Sequence, residues 1–264
     1  MVTMGFPVWT TAALALLCLL PARAQSAAAT PQAETAASAK ALTDRGVKAL
    51  DAGNDAQALD IFRRAAAIGD VDAMMYLGVM YADGRAGDED YTAAMAWFQQ
   101  AAKGGNRQAL CNIGLLYFQG LGREVNYREA LSWFREAASY GNTEAMFNVG
   151  VIYRDGLGVP WNYGEAMKWF RKAASEGDDP AANAIGVLYQ QGLGVPVDYA
   201  VAMSWYQKAA GVGNATAMYN IGTLWEGGLG VARDRNQAIA WYRKAAGAGN
   251  DRAREALKSL GAQE

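Results

Sequence analysis

The sequence predicts an all-α protein, a right-handed superhelical α-solenoid of helix-turn-helix repeats with a period of 36 residues. Three observations predict it. Trp97, Trp133, Trp169, Trp205 and Trp241 follow one another at intervals of 36. Two glycine series keep the same step: Gly78, Gly114, Gly150, Gly186 and Gly222, and Gly69, Gly105, Gly141, Gly177, Gly213 and Gly249. Within each period, two apolar stretches at helical spacing are separated by a Gly-rich loop, the signature of stacked hairpins.

Residues 1–24 read as a secretion signal. Val8 to Leu20 is largely apolar, Pro7 and Pro21 bracket it, and Ala22-Arg23-Ala24 fits a small-x-small cleavage site. The stretch is short for a membrane span, and no span is expected once it is removed. Leu17 stands before Cys18 where a lipobox wants a small residue, which argues against a lipid anchor. Cleavage would leave 23 basic against 26 acidic residues, with Cys111 as the one cysteine, so no intramolecular disulfide can form. The periplasm or the medium is the expected location. Residues 25–40, QSAAATPQAETAASAK, offer no large apolar side chain and are expected to form a flexible leader.

Residues 41–70 form a shorter two-helix unit. Ala58, Phe62, Ala65 and Ala66 match the pattern of the second helix of each repeat, but the long glycine loop is missing, so the unit reads as an N-terminal cap. Five full repeats follow, at 71–106, 107–142, 143–178, 179–214 and 215–250, and residues 251–264 read as a C-terminal capping helix.

Repeat 143–178 makes the design legible. Ala145, Met146, Val149, Gly150 and Tyr153 share one helix face. Gly150 costs about 1 kcal/mol of helix propensity, and close approach of the partner helix is the compensation. Gly156 and Gly158 end this helix. The second helix presents Ala166, Trp169, Phe170, Ala173 and Ala174, large rings beside small neighbours, and Gly177 stops it. The tryptophans, tyrosines and methionines are therefore expected in the core. One hairpin cannot bury its apolar face, whereas a stack of five can.

The loop DGLGVPWNYG at 155–164, running into a lysine-bearing helix, invites comparison with a phosphate cradle. QGLG, QGLGVP and GGLGV stand at the equivalent places of other repeats, and no GxxxxGK[ST] or GxGxxG occurs. A loop that recurs from unit to unit belongs to the scaffold.

The run AMFNVGVIYRDGLGVPWNYGEAMKWFRKAA, matched by AMYNIGTLWEGGLGVARDRNQAIAWYRKAA at 217–246, resembles the Sel-one-like repeat (SLR), a relative of the tetratricopeptide repeat. The resemblance covers about residues 71–250, and the unit at 41–70 looks more like a tetratricopeptide. Copy 71–106 departs with GRAGDED in its loop, and copy 215–250 has Arg235 where others have Tyr91, Tyr127, Tyr163 and Tyr199. The resemblance implies a scaffold for protein–protein contacts. Exported bacterial members are similar to regulators of envelope signalling, polysaccharide production or host contact. Some cysteine-rich relatives have been described as penicillin-binding or β-lactamase-like, but these carry a disulfide in each repeat, which this chain lacks.

Catalytic chemistry has little to stand on. The chain has no histidine, hence no Ser/His/Asp triad and no activator for Cys111. Asp88, Glu89 and Asp90 read as a solvated turn. No cofactor or metal is expected, and 24 basic against 26 acidic residues without a basic stripe argue against nucleic acid.

By analogy with tetratricopeptide arrays, the first helix of each repeat would line a concave wall. Three residues before and one after its glycine stand Met75 and Val79, Cys111 and Leu115, Phe147 and Val151, Asn183 and Val187, Tyr219 and Thr223. This mostly apolar stripe is the expected binding surface for another protein or peptide, an envelope component. Asn112, Asn148 and Asn220 recur two residues before the glycine, and a structural role is the favoured reading of their amides.

Overall fold

The computed structural model describes residues 31–262. Thirteen helices and no strand occur among the described residues: α1 (Pro31–Asp51), α2 (Asp55–Ala67), α3 (Val71–Ala82), α4 (Tyr91–Lys103), α5 (Arg107–Gln119), α6 (Tyr127–Ser139), α7 (Thr143–Asp155), α8 (Tyr163–Ser175), α9 (Asp179–Gln191), α10 (Tyr199–Gly211), α11 (Ala215–Gly227), α12 (Arg235–Gly247) and α13 (Asp251–Ser259). Each helix packs on the next, and the array is the α-solenoid expected. Helices α3, α5, α7, α9 and α11 are the first helices of the five repeats, called A; α4, α6, α8, α10 and α12 are the second, called B. The signal segment 1–24 lies outside the described residues.

Polar caps start the helices. Asp70, Asn106, Asn142, Asp178, Asn214 and Asn250 each accept a hydrogen bond from the backbone N–H three residues on, satisfying a donor that the first turn would otherwise leave unpaired. Asp90, Asn126, Asn162, Asp198 and Asp234 do the same for the B helices.

The GLG loop has two glycines with separate tasks. Gly156, like Gly120, Gly192 and Gly228, caps an A helix in the left-handed conformation with φ near +68°, which residues with a Cβ avoid. Gly158 makes the crossing to the previous repeat, where a Cβ would stand 2.9 Å from the Tyr127 Cβ. Between them Leu157 donates its backbone N–H to the Ile152 carbonyl at 3.0 Å and packs on the core. In repeat 71–106 the A helix ends one residue earlier, on Asp83 with φ −89°, and Gly84 keeps the left-handed conformation at φ +68°. Its GRAGDED loop is held back on the N-terminal unit: Arg85 pairs with Asp55 at 2.6 Å and donates to the Leu50 carbonyl at 2.8 Å.

Each repeat has its centre where a B-helix ring packs directly against an A-helix glycine. A Cβ on Gly78, Gly114, Gly150, Gly186 or Gly222 would stand 2.4 to 2.7 Å from Phe98, Phe134, Phe170, Tyr206 or Tyr242 respectively. These rings are fully buried. Trp161, also expected in the core, is exposed, and the five periodic tryptophans are only half-buried. They stand one residue earlier on the helix, turned about 100° from the rings, and the ammonium groups of Lys172, Lys208 and Lys244 lie 4.2 to 5.4 Å from the ring centroids of Trp169, Trp205 and Trp241.

One boundary differs from the sequence reading. Residues 31–40, expected to be flexible, form the first half of α1. Pro31 suits the first helical position, and Ala39, Thr43 and Gly46 continue one buried face, so Ala39 has something to bury after all. The unit at 41–70 also keeps the ring-on-glycine contact, Phe62 on Gly46, with Phe62 stacked on Tyr76 at 5.0 Å between centroids. It is a shortened copy of the same design.

Candidate partner-binding surface

The ten stripe residues do not share one environment. Met75, Val79 and Cys111 are buried, which removes them from any binding surface. Met75 and Val79 join the core cluster that includes Ala109 and Ile113 of the following A helix. Cys111, a short side chain, is sunk in the cluster that holds Leu110, Met146 and Val149. Leu115, Phe147, Val151, Asn183, Val187, Tyr219 and Thr223 keep part of their surface in solvent. An accessible row therefore runs from repeat 107–142 to repeat 215–250, and repeat 71–106 contributes nothing to it.

Phe147 is anchored below, with its ring 5.6 Å from that of Phe170. Tyr219 stands likewise over Tyr242 at 5.5 Å. Leu115, Phe147, Val151 and Val187 rest on the core as partly buried side chains. Such residues present apolar surface without being free to collapse.

The C-terminal end of the row is more polar. Asn220 donates its amide to the Asn183 side-chain oxygen at 2.9 Å, tying α11 to α9, and Thr223 donates its hydroxyl to the Asn220 carbonyl at 2.7 Å. Asn220 thus has the structural role favoured for this series. Asn112 does not behave alike. It is fully buried, and neither its Nδ2 nor its Oδ1 has a hydrogen-bond partner among the described residues.

A second polar ladder joins the A-helix caps. Asn106 donates to Asp72 at 2.7 Å, Asn142 to Gln108 at 3.2 Å and Asn214 to Asp179 at 2.8 Å. Asp178 occupies the same place with a carboxylate that has no N–H to give. Burial there pushes its pKa up to about 6, the Ala181 N–H opposes the shift, and the charge of Asp179 adds to it.

Among the described residues no three of His, Cys, Asp and Glu gather as a metal site. Glu89 accepts from the Tyr91 hydroxyl at 2.6 Å and Asp90 caps α4, so two members of the acidic turn have local duties. Tyr206 and Tyr242, whose phenols burial raises far above the usual range, donate to Gln190 at 2.5 Å and Glu226 at 2.6 Å.

The family model of the Sel1 repeat matches residues 43–70, 71–106, 107–142, 143–178, 179–214 and 215–250. The chain belongs to the Sel1 repeat family. The sixth match, at 43–70, takes the short unit into the same family and agrees with its ring-on-glycine contact, where the sequence alone suggested a tetratricopeptide. Among solved structures, this Sel1 repeat protein is similar to a Sel1 repeat protein from Oxalobacter formigenes, at 32% identity over 83% of this chain and 89% of that one, with a TM-score of 0.77. It is also similar to c5321, a protective antigen of uropathogenic Escherichia coli with an SLR fold, at 30% identity over 86% of this chain and 50% of that one, with a TM-score of 0.70. The immunity protein PA5088 from Pseudomonas aeruginosa shares the fold at 19% identity, over 86% of this chain and 85% of that one, with a TM-score of 0.56. Among curated proteins none matches significantly. Sel1 repeat proteins generally act as scaffolds for protein–protein interaction. No described helix is long and apolar enough to cross a membrane.

Proposed function

We propose that this Sel1 repeat protein is a non-enzymatic, exported adaptor that holds a peptide segment of an envelope protein along its A helices. The observation that carries the reading is the row Leu115, Phe147, Val151, Val187 and Tyr219. It is apolar, partly exposed and fixed from below by the core. An amphipathic helix or an extended strand can lay apolar anchors along such a row. Asn183 and Thr223, at its polar end, supply groups suited to a peptide backbone. The signal-like residues 1–24 support export, and regulation of envelope signalling or of polysaccharide production is the role that fits a scaffold placed there.

The reading is tested by capture from intact envelopes with wild-type protein and with Phe147→Ser. A protein partner recovered in stoichiometric amount by the wild type and lost with the variant supports it. Recovery of polysaccharide alone would sink the peptide-binding role.

A further inference from the structure

The loops between the A and B helices carry a second ladder, on another edge of the array. The N–H of each B-helix cap bonds back to its A helix in the same way in all five repeats: Asp90 to the Tyr81 carbonyl, Asn126 to Tyr117, Asn162 to Tyr153, Asp198 to Tyr189 and Asp234 to Trp225, at 2.7 to 3.1 Å. The residue before each cap is therefore presented equivalently. In chain order these residues are Glu89, Val125, Trp161, Val197 and Arg233, and all five are exposed. The central three are large and apolar, with 47%, 73% and 51% of their surface in solvent. Trp161 is the most exposed large apolar side chain among the described residues.

The order has a symmetry that the fold does not require. Acid, valine, tryptophan, valine and base are arranged about Trp161 so that each half complements the other. Asp88 strengthens the acidic end and Arg235 the basic end, while the cap carboxylates Asp90 and Asp234 stand at both ends. A two-fold axis through Trp161 carries repeat 71–106 of one copy onto repeat 215–250 of another. It sets Trp161 against Trp161, Val125 against Val197, and Glu89 against Arg233. Both edges share the 36-residue period, so the pairing sets repeat against repeat. A two-fold interface must be self-complementary in this manner, whereas a different protein would place no such demand on this chain.

We propose that two copies of this protein pair antiparallel along their loop edges, with Trp161 on the two-fold axis. Pairing removes the three apolar side chains from water. The charged ends fix direction, since a parallel arrangement would set acid on acid and base on base. The contact is narrow, so the dimer is a weak one that depends on concentration. It leaves the A-helix row open, and the two surfaces fail independently.

Sedimentation over a range of concentrations reads the pairing. The wild type should show a reversible monomer–dimer equilibrium, and Trp161→Glu should weaken it by about tenfold or more with an unchanged melting temperature and unchanged partner capture. Glu89→Arg and Arg233→Glu should each weaken it, and the two together should recover most of the loss. Cysteine scanning tests the direction, with Cys111 out of reach in the core. Trp161→Cys should form a disulfide dimer on mild oxidation, and Val125→Cys mixed with Val197→Cys should cross-link faster than either alone. A wild type that stays monomeric at high concentration, a double charge swap no better than the single ones, or faster cross-linking of Val125→Cys to itself would each overturn the proposal.

Discussion

Gly150 and Phe170 are in direct contact across the helix pair of repeat 143–178. A Cβ at Gly150 would stand 2.5 Å from the Phe170 ring, inside the distance that any real Cβ keeps. Gly150→Ala improves helix propensity by about 1 kcal/mol but forces a fully buried ring to move, an overpacking cost of about 1–3 kcal/mol. The second effect wins, so the variant should unfold at lower urea. Adding Phe170→Leu, which frees the space, should make Gly150→Ala less costly, and the double-mutant cycle measures that coupling.

Asp178 makes stability depend on pH. Its carboxyl has a pKa of about 6 in the folded chain against 3.8 ordinarily, chiefly through burial. Both states are protonated below 3.8, so nothing is lost there. As pH rises from about 4 to 6 the folded state holds the proton longer, and folding weakens until the carboxyl is ionised in both states. Asp178→Asn removes that loss. It also restores an amide 34 residues after Glu144, the spacing that links Asn106 to Asp72 and Asn142 to Gln108. After discounting for partial exposure, the part of the gain due to ionisation should be about 1 kcal/mol at pH 7.5 and should shrink towards zero near pH 4. An equal gain at both values would show that ionisation of Asp178 is not its source.

Asn112 is the buried amide whose two polar atoms lack partners among the described residues. An unsatisfied buried polar group costs about 1–3 kcal/mol, so the isosteric Asn112→Leu should be neutral or stabilising in thermal melts. A loss above about 2 kcal/mol would mean that the amide is satisfied in solution and belongs with Asn220 as an architectural bond.

The fold was legible because the repeat amplifies weak signals. One glycine within a helix says little, but Gly78, Gly114, Gly150, Gly186 and Gly222 at a fixed step announce a shared packing demand. The ring that answers this demand was less legible. Trp169 and Phe170 are adjacent and both aromatic, and periodicity places either one on the inner face within half a turn. Helix rotation, set by the glycine contact, decides for Phe170. The limits of α1 were obscured because alanine carries little hydrophobic signal, although Ala39 is buried by its position. The candidate row was legible in its spacing but not in its depth. Equivalent positions give Cys111 a buried place and Phe147 a partly exposed one, because depth depends on side-chain length and on the neighbouring helix, which a one-dimensional pattern does not carry.

The central claim, a partner-binding row on the A helices, is tested most directly by comparing Phe147→Ser with Phe170→Ala. Phe170 is fully buried, and its truncation should cost about 3–5 kcal/mol and destabilise adjacent repeats as well. Phe147 is partly exposed, so Phe147→Ser should melt much closer to the wild type while losing capture of the protein partner, as expected where an aromatic anchor dominates an interface. If Phe147→Ser instead melts as early as Phe170→Ala, or retains the partner at wild-type affinity, the A-helix row is not the binding surface.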